Sequence, residues 1–442
     1  MRVLCEALNA SKKGGTGIAT YIRSLAKAAT GAGFDFDGLL HSYLPLDRRN
    51  KVVAEIELYD VNNRTVSGLT RYIELPFRYL IGVPFGIRGI PLPERDQSVL
   101  VSSDFGERSA KSGFSKTYAA RMFEELSNLH FDRFGARATL RLDAKHEIFH
   151  ATHPIPLMKK GAANIYTIHD LVPLRLPHTT LDDKKHYFRL IKHLAKSADH
   201  IVTVSESSKR DIMALTGIEE GRITNTYQAV DLPPDLVNRD AGQISQLLAR
   251  VFQLEYKEFY VFLGAIEPKK NVARLIDGYL SSGSARPLII VGGLGWDYES
   301  DVERMERKEL TKYRLLGGEI ISESKVRRMG FLPLSHVLAL MQGSRALIFP
   351  SLYEGFGLPV LEGMSLGTPV ITSNVSSLPE VAGDAAILVN PLDIDAIGRA
   401  IMAVDRDEDL CAELSRKGLS RAQQFSMRQY QEKVARLYSR LG

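Results

Sequence analysis

The sequence contains few cysteines and no long uninterrupted hydrophobic run. Its two cysteines, Cys5 and Cys411, lie near opposite ends of the chain, which excludes a disulfide framework and a site of closely spaced thiolates. The apolar stretch 75–92 is interrupted by arginines, prolines and glycines, so it cannot form a membrane-spanning helix. No acidic residues have the spacing of a dedicated metal site. These absences predict a protein of the reducing cytoplasm that uses neither a metal ion nor a cofactor.

The net charge is also small. At +5, with a pI near 8.9 and no recognisable nucleic-acid motif, the chain is too weakly basic to indicate a nucleic-acid partner. Its length of 442 residues is about three times a common domain size, which favours two core-forming domains. Residues 1–5 run directly into a predicted strand, so we expect no secretory peptide.

Hydrophobic runs alternate with helical patterns along both halves of the chain. Such alternation is typical of an α/β protein in which helices cover both faces of a parallel sheet. The predicted strands are 147–150, 164–168 and 200–204 in the first half and 259–263, 287–291, 327–331, 346–349, 369–372 and 386–389 in the second.

A polar segment with two prolines, starting at Asp231, marks the boundary between the two halves. We place the N-terminal domain at 1–238 and the C-terminal domain at 239–426. A final helix over 427–442 has apolar residues with which it can pack back on the N-terminal domain. The segment 46–143 mixes short apolar, basic and serine-rich pieces, and its pattern predicts no definite elements.

The stretch Glu354–Glu362 places two carboxylates around a glycine-rich helix start. Residues 346–349 predict a buried strand before it, Pro359 suits the first helical position, and Gly367 suits the end of the helix. Backbone N–H groups at such a start attract phosphate, and glycines let a ligand approach the backbone. The two acids are therefore expected to flank a bound diphosphate. The alternative is a surface helix whose acids only stabilise its N-terminus.

Two lysines follow the first strand of the second half. Lys269 and Lys270 precede Asn271, which can cap the next helix, so their charges are expected beside its positive end. An anion would offset that repulsion, and the alternative is a solvated lysine pair. Gly14–Gly17 follows the first strand of the chain, at the sheet edge where open parallel sheets bind ligands, although it also fits a tight turn.

A histidine and an aspartate, His169 and Asp170, directly follow another predicted strand. A histidine in that position fits a general base, a ligand or a hydrogen-bonded core residue. His150 and His153 flank a further strand end, but their spacing specifies no metal site, and the sequence assigns them no function.

Together these segments resemble the retaining glycosyltransferases of family 4, which have the two-domain GT-B fold. The resemblance covers most of the chain and is strongest over 259–391. It implies two Rossmann-like domains whose parallel sheets face each other across a cleft. It rests on Gly14–Gly17, Ile168–Leu171, Ala198–Ser205, Gly264–Asn271, Gly330–Leu332, Phe349–Glu362, Gly367–Val370 and Leu378–Val381.

The resemblance implies three catalytic residues. Glu354 would contact the hydroxyls of the donor sugar, Lys270 would neutralise the diphosphate, and His169 would line the reacting face. Glu362 would hold the ribose, and the backbone around Gly330 would meet the nucleobase.

Further residues of the donor site follow from the same resemblance. Many relatives carry an arginine where this chain has Ala265, and Lys269 is the residue that can replace its charge. The implied donor-binding residues are Gly14, Gly15, Lys269, Lys270, Gly330, Phe331, Glu354, Gly355, Phe356, Gly357, Leu358 and Glu362.

The implied reaction is transfer of a sugar from a nucleoside diphosphate to a hydroxyl, with the anomeric configuration retained and no metal ion. Glu267–Asn271, His169–Pro173 and Gly293–Trp296 look most like bacterial polysaccharide mannosyltransferases. That likeness favours GDP-mannose as donor and a glycan or polyprenyl-diphosphate-linked saccharide as acceptor. UDP-glucose and UDP-N-acetylglucosamine are alternative donors. A sugar-nucleotide epimerase of the same fold and a nucleotide-sugar binder without turnover are alternative functions.

Basic and aromatic residues interleave within 69–88. Arginines suit lipid headgroups and rings suit the interface, so we expect reversible association with an anionic membrane, at its cytoplasmic face. Burial of this segment in the N-terminal core is the alternative. The expected membrane contacts are Arg71, Tyr72, Phe77, Arg78, Tyr79, Phe85 and Arg88.

Overall fold

The computed structural model describes residues 1–11, 17–43, 45–47, 49–59, 79, 83–93, 113–316 and 319–442. Within these ranges, a ten-stranded sheet is built from the first half of the chain. Its strands are β1 (Arg2–Glu6), β2 (Asp35–Ser42), β3 (Ile87–Pro91), β4 (Thr117–Arg121), β5 (Ala138–Arg141), β6 (Ile148–Ala151), β7 (Leu157–Lys159), β8 (Ala163–Thr167), β9 (His200–Thr203) and β10 (Ile223–Asn225).

The strand order of this sheet is β10-β9-β8-β6-β1-β2-β4-β3-β5-β7. Neighbouring strands are parallel except β3 and β4. Because parallel strands bring their carboxyl ends to one edge, β1, β6 and β8 place the residues at or just after those ends close together. These residues are Glu6, Thr152, His153 and His169.

The second half of the chain forms a smaller sheet in the order β15-β12-β11-β16-β17-β18, with all neighbours parallel. A separate antiparallel pair, β13 and β14, precedes β15. The strands are β11 (Tyr260–Leu263), β12 (Leu288–Val291), β13 (Thr311–Leu316), β14 (Glu319–Ser324), β15 (Val326–Met329), β16 (Ala346–Phe349), β17 (Val370–Ser373) and β18 (Ile387–Val389).

Helices connect the strands of both sheets. The described α-helices are α1 (Gly17–Gly31), α2 (Lys51–Tyr59), α3 (Phe123–Phe134), α4 (Val172–Arg175), α5 (Lys184–Ser197), α6 (Glu206–Thr216), α7 (Pro234–Val237), α8 (Ala241–Leu247), α9 (Val272–Ser282), α10 (Glu299–Met305), α11 (Leu334–Gly343), α12 (Leu358–Ser365), α13 (Leu378–Ala382), α14 (Ile394–Arg406), α15 (Glu408–Ala422) and α16 (Met427–Leu441). None of them is long and apolar enough to cross a membrane.

The last helix, α16, lies against α1 in the first half of the chain. The ring of Tyr438 on α16 contacts Phe34 edge to face at 5.5 Å, and its hydroxyl lies 2.7 Å from Nδ1 of the buried His150. The boundary placed at residue 238 falls between α7 and α8. Asp240 begins α8 with a capping box, in which its side chain accepts from the N–H of Gln243.

The predicted parallel α/β architecture is confirmed, and the predicted strands agree with the observed ones to within about two residues, as expected for element boundaries. Parallel strands buried on both faces give continuous apolar runs, which is why these strands could be predicted from the sequence. The described parts of 46–143 contain α2, β3, β4, α3 and β5, which the sequence did not predict.

The membrane-contact prediction does not hold for Tyr79. Its side chain is only 5% exposed, stacks on Phe134, and places its hydroxyl 3.1 Å from Nδ1 of His130. Phe85, in contrast, is 68% exposed, and Arg88 extends to a loose ion pair with Asp143. Four further predicted contacts lie outside the described residues: Arg71, Tyr72, Phe77 and Arg78.

Candidate functional site

Two oppositely charged side chains meet at the carboxyl edge of the second sheet. Lys270 follows β11 and Glu354 follows β16, and these two strands are neighbours. The Lys270 Nζ lies 2.6 Å from the Glu354 Oε1, and both side chains are largely buried. The sequence-predicted pair is therefore brought together, 84 residues apart in the chain.

The path of the Lys270 side chain depends on a glycine. Gly264 has a φ of +147°, and the Cε of Lys270 lies 3.6 Å from the place where a Cβ would stand on that residue. A side chain at Gly264 would be strained there and would crowd the lysine. The ammonium then sits 4.9 Å from the ring centroid of Phe349, where the negative face of the ring stabilises it.

The charges in this cluster are strongly coupled. Burial raises the pKa of Glu354, but the ammonium groups of Lys270 and Lys269 more than offset it, and the net pKa is lowered. Burial lowers the pKa of Lys269, whereas Glu354 and Glu267 raise it above its usual value. Lys269 also pairs with Glu267 at 3.4 Å. The cluster thus holds ionised groups of both signs in a space with little water.

Side-chain hydroxyls fix the loop between β16 and α12. The N–H of Glu354 donates to Ser376 Oγ, and Ser377 Oγ donates to the carbonyl of Glu354 at 2.9 Å. Gly357 begins α12 with a φ of +104°, and a Cβ there would stand 2.7 Å from Leu378. The loop needs glycine at that position, and α12 begins there, a few residues after Glu354 at the carboxyl edge of the sheet.

The second carboxylate of the motif, Glu362, lies one turn inside α12. It forms no ion pair with any described residue, and burial raises its pKa to about 7. Near pH 7 this group is therefore partly ionised, and its ionised form is a strong hydrogen-bond acceptor for a ligand hydroxyl.

Asn271 does not cap α9 as the sequence predicted. It precedes the helix in the left-handed region, at φ 61°, and its side chain makes no cap hydrogen bond. Its amide instead donates to the carbonyls of Pro350 and Pro391, at 3.0 and 2.7 Å. Asn271 therefore ties the lysine turn to the loops after β16 and β18.

On the opposite side, His169 is oriented by a carbonyl group. Its Nε2 donates to the carbonyl oxygen of Thr152 at 2.8 Å, and Tyr21 contacts its ring edge to face at 4.8 Å. Burial lowers the pKa of His169, so the ring is neutral near pH 7 and Nδ1 is an acceptor.

A chain of hydrogen bonds runs behind His169 to the last helix. The Tyr21 hydroxyl lies 2.9 Å from Thr167 Oγ1, which lies 2.8 Å from the Nε2 of His150. The other nitrogen of His150 meets the Tyr438 hydroxyl on α16. Burial lowers the pKa of His150 to about 3, so this chain is uncharged. The sequence assigned His150 no function, and the structure places it as a support for Tyr21.

A buried ion pair lies beside this chain. Glu6 is fully buried and accepts from His153 Nδ1 at 2.9 Å and from Thr152 Oγ1 at 2.9 Å. Burial lowers the pKa of His153, but Glu6 and Glu124 raise it to about 10, so the ring is protonated. Sequence reasoning missed this pair. Its signal was the position of both residues near the ends of predicted strands, but the sequence did not show that these strands, β1 and β6, are neighbours.

The two domains contact each other directly at the site. A Cβ on Gly355 would stand 2.7 Å from the carbonyl oxygen of His169, so only glycine permits this approach. Nearby, the carboxylate of Glu380 accepts from the backbone N–H groups of Glu206 and Ser207, at 2.7 and 2.9 Å. A carboxylate at the N-terminus of α6 is a favourable contact, and it links the two domains next to the cluster.

The remaining predicted site residues have different surroundings. Gly330 is exposed and Phe331 is 64% exposed, so both are open to a ligand. Phe356 is buried at 3% exposure against Phe425, which leaves its backbone but not its ring available. The start of α1 at Gly17 approaches Leu358 of α12. Gly14 and Gly15 lie outside the described residues.

The geometry combines a helix N-terminus, a buried glutamate paired with Lys270 with Lys269 nearby, and a neutral histidine in the adjoining loop of the other domain. Such a site can hold a doubly charged phosphate ester and stabilise charge that develops on it. Two Rossmann-like halves meeting over such a site define the class of GT-B glycosyltransferases.

Comparison with known proteins gives the family. Residues 248–421 match the family model described as "Glycosyl transferases group 1", and residues 92–233 match "Glycosyltransferase Family 4". The O-antigen chain mannosyltransferase B of Escherichia coli is 32% identical over 289 residues, which are 64% of this chain and 72% of that relative. The chain belongs to the glycosyltransferases of family 4.

Other relatives and solved structures agree with this assignment. The serotype-specific mannosyltransferase WbdA of Escherichia coli is 30% identical over 62% of this chain, which spans 33% of that longer relative. Sucrose-phosphate synthase from Thermosynechococcus elongatus has a TM-score of 0.64 at 18% identity, covering 100% of this chain and 99% of its own. Anabaena HepE, in complex with UDP and glucose, has a TM-score of 0.64 at 14% identity, covering 100% of both chains. The structural neighbours show that the fold is GT-B.

Proposed function

We propose that this glycosyltransferase moves mannose from GDP-mannose to a hydroxyl of a glycan or lipid-linked oligosaccharide in bacterial surface polysaccharide biosynthesis. The observation that carries the proposal is the Lys270–Glu354 pair at the start of α12, in a chain whose relatives include the two mannosyltransferases named above.

The donor lies along the second sheet. Its diphosphate contacts the N–H groups at the start of α12 and the ammonium of Lys270, and Lys269 supplies the charge that Ala265 lacks. The ribose reaches Glu362, and the nucleobase lies by Gly330 and the exposed Phe331. When the donor binds, its diphosphate replaces Glu354 as the partner of Lys270. The Glu354 carboxylate can then accept hydrogen bonds from the hydroxyls of the mannose.

The reaction retains the anomeric configuration and needs no metal ion. The bond between the anomeric carbon and the phosphate oxygen breaks as the acceptor oxygen bonds to the same face of that carbon. The acceptor proton passes to the departing phosphate oxygen. Charge that develops on the diphosphate is stabilised by the helix start and by Lys270 and Lys269, which are already in place. Glu354 orients the sugar and stabilises positive charge on it, and His169 lines the face where the acceptor attacks.

A donor panel tests this proposal. The purified protein is incubated with GDP-mannose, UDP-glucose or UDP-N-acetylglucosamine, with and without a mannose-containing oligosaccharide. We expect GDP-mannose to give the largest thermal stabilisation and an elongated saccharide whose new linkage keeps the anomeric configuration of the donor, read from the one-bond coupling between C1 and H1. Lys270→Ala, which removes the proposed diphosphate contact, is the matched control, since turnover at this site should fall in that variant. An epimerised donor would support an epimerase, and stabilisation without turnover would support a binding protein.

We further propose that the protein works in the cytoplasm and binds the anionic inner face of the membrane reversibly. Phe85 is exposed, and the acid-free helix α5 presents a second basic surface. Lys185, Phe188 and Lys192 are exposed and lie three or four residues apart, so they share one helix face. That combination suits lipid headgroups.

Liposome flotation tests this surface. Lys185→Glu with Lys192→Glu should lose flotation with anionic vesicles at low salt, because the helix face then repels phosphate headgroups. Arg399→Glu with Arg428→Glu is the control, since it makes the same charge change on exposed side chains elsewhere. Equal flotation of both variants would exclude α5 as the membrane-binding surface. Equal flotation of the wild type with neutral and anionic vesicles would exclude an electrostatic contact.

A further inference from the structure

A cavity of about 380 Å³ lies between the two domains, beside the Lys269 side of the site. Its volume is within the range of small-molecule sites. Thr179, Thr180 and Asp182 line it from the N-terminal domain, and Glu267, Lys269 and Trp296 line it from the C-terminal domain. The donor placement described above uses none of these except Lys269.

Trp296 is the only tryptophan of the chain, and its loop is held firmly against the sheet. The N–H of Ile266 donates to Gly293, and the N–H of Gly295 donates back to Ile266, at 2.9 and 3.0 Å. A Cβ on Gly295 would stand 2.8 Å from the Ile266 carbonyl oxygen. The loop therefore approaches the residues before Lys269 closely and carries the indole to the cavity wall.

The indole is available to a ligand. Trp296 is partly exposed, and within the described ranges its ring has neither an aromatic partner nor a hydrogen bond. An aromatic face in a cavity pairs with the polarised C–H groups on one side of a pyranose ring, and the indole N–H can donate to a hydroxyl.

The polar groups of the cavity suit a neutral polyol. Thr180 Oγ1 is buried without a hydrogen-bond partner among the described residues, so a ligand hydroxyl can satisfy it. Asp182 and Glu267 supply acceptors for further hydroxyls. The single ammonium, Lys269, is already paired with Glu267 at 3.4 Å. Two carboxylates against one lysine disfavour a phosphate or a uronate.

We propose that this cavity is an acceptor subsite in which Trp296 stacks on a neutral pyranose unit of the acceptor glycan. The inference rests on the proposed function, because it takes the cleft between the domains as the path of the acceptor. Its position agrees with that path: the carbonyl of Lys269 accepts from the N–H of Leu352, two residues before Glu354. The acceptor is thereby held one short loop away from the reacting sugar.

The single tryptophan makes occupancy of the cavity directly observable. Wild-type protein is titrated with α-linked mannotriose, with trigalacturonic acid and with GDP, and the tryptophan emission is recorded. We expect a saturable change with mannotriose, and little change with the uronate trimer or with GDP alone. A change with GDP but none with mannotriose would overturn the proposal, because the cavity would then belong to the donor. No change with any saccharide would overturn it as well.

Kinetics give a second, independent readout. Trp296→Ala should raise the acceptor KM about 10-fold or more and leave the donor KM within about 2-fold, and Trp296→Phe should recover part of the loss, since a smaller ring keeps some stacking. Leu294→Ala, at an exposed position of the same loop, is the control and should change neither constant. An unchanged acceptor KM in Trp296→Ala would reject the subsite while leaving the proposed transferase intact. Absence of transfer from every donor would reject the proposed function, and the titration would still decide the saccharide site.

Discussion

The two faces of the cleft are built from different chemistry. The face from the C-terminal domain carries buried charges, with Lys270 against Glu354 and Lys269 against Glu267. The face from the N-terminal domain presents the neutral His169, supported by the uncharged chain of Tyr21, Thr167 and its partners, and its carboxylates, Asp170 and Asp182, lie toward Lys269. The Glu6–His153 pair is charged, but it is closed on itself beneath that face.

The difference suggests a division of function. Buried charges cost free energy unless they meet opposite charge, so the C-terminal face is suited to a charged diphosphate. A neutral imidazole held by a carbonyl and a ring is suited to orienting an uncharged sugar and acceptor. If this division is correct, substitutions on the first face weaken donor binding or the charged transition state, and substitutions on the second lower turnover alone.

Glu354→Gln should produce the largest effect. In the proposed reaction its contacts with the sugar are strongest in the transition state, so we expect turnover to fall roughly 100-fold or more while donor affinity changes much less. Steady-state kinetics and calorimetry with the donor measure the two quantities. Near-normal turnover in a folded variant would remove Glu354 from the reaction.

Lys270→Ala should weaken donor binding and transfer together, because in the proposed donor complex its charge faces phosphate before and during bond cleavage. A buried charge-assisted contact is worth roughly 1.5 to 3 kcal/mol, which corresponds to roughly a 10- to 150-fold loss of affinity. Lys269→Ala is the matched comparison one residue away. Unchanged nucleotide binding in Lys270→Ala with weaker binding in Lys269→Ala would show that Lys269, and not Lys270, contacts the diphosphate.

The pH dependence of donor binding should report Glu362. Its folded-state pKa is raised to about 7, so it is protonated below that pH and ionised above it. If only the carboxylate holds the ribose, affinity rises about 10-fold between pH 6 and pH 8, in proportion to the ionised fraction. Because its folded-state pKa lies above the ordinary value of 4.5, the contribution of Glu362 to folding stability falls as the pH rises from about 4.5 to about 7 and is constant above that. A Glu362→Gln variant that keeps the same profile would contradict this origin.

Tyr21→Phe tests the uncharged face. Loss of the hydroxyl frees the ring that contacts His169, and we expect turnover to fall roughly fivefold with donor affinity unchanged, in line with one hydrogen bond of about 1 kcal/mol. Tyr438→Phe removes a hydroxyl at the far end of the same chain and should leave turnover nearly normal. Equal losses in both variants would mean that the chain supports stability and not the site.

Chelation should have the smallest effect. In the proposed donor complex, helix N–H groups and lysines supply the positive charge at the diphosphate, so treatment with EDTA should leave the transfer rate unchanged. Activity that disappears with EDTA and returns with magnesium or manganese would contradict a metal-independent reaction.

The same two faces show how far the sequence could lead. Lys270 and Glu354 were predictable because each lies in a local strand, turn and helix pattern whose elements are set by nearby residues. The hydrogen-bond chain behind Tyr21 was not, because its members His150 and Tyr438 are 288 residues apart and meet only through the packing of α16 on the first domain. Glu6 and His153, 147 residues apart, are a similar case. Asn271 was assigned a cap because of its residue type, but its left-handed backbone turned the side chain toward Pro350 and Pro391.

Calorimetric binding of GDP to Lys270→Ala and His169→Ala, measured side by side with the wild type, tests the division between the two faces most directly. Both variants should lose transfer activity, because each removes a group from the reacting centre. We predict that His169→Ala binds GDP as tightly as the wild type, whereas Lys270→Ala binds it at least 10-fold more weakly. Equal losses of GDP affinity in the two variants, or a loss in His169→Ala alone, would contradict the account.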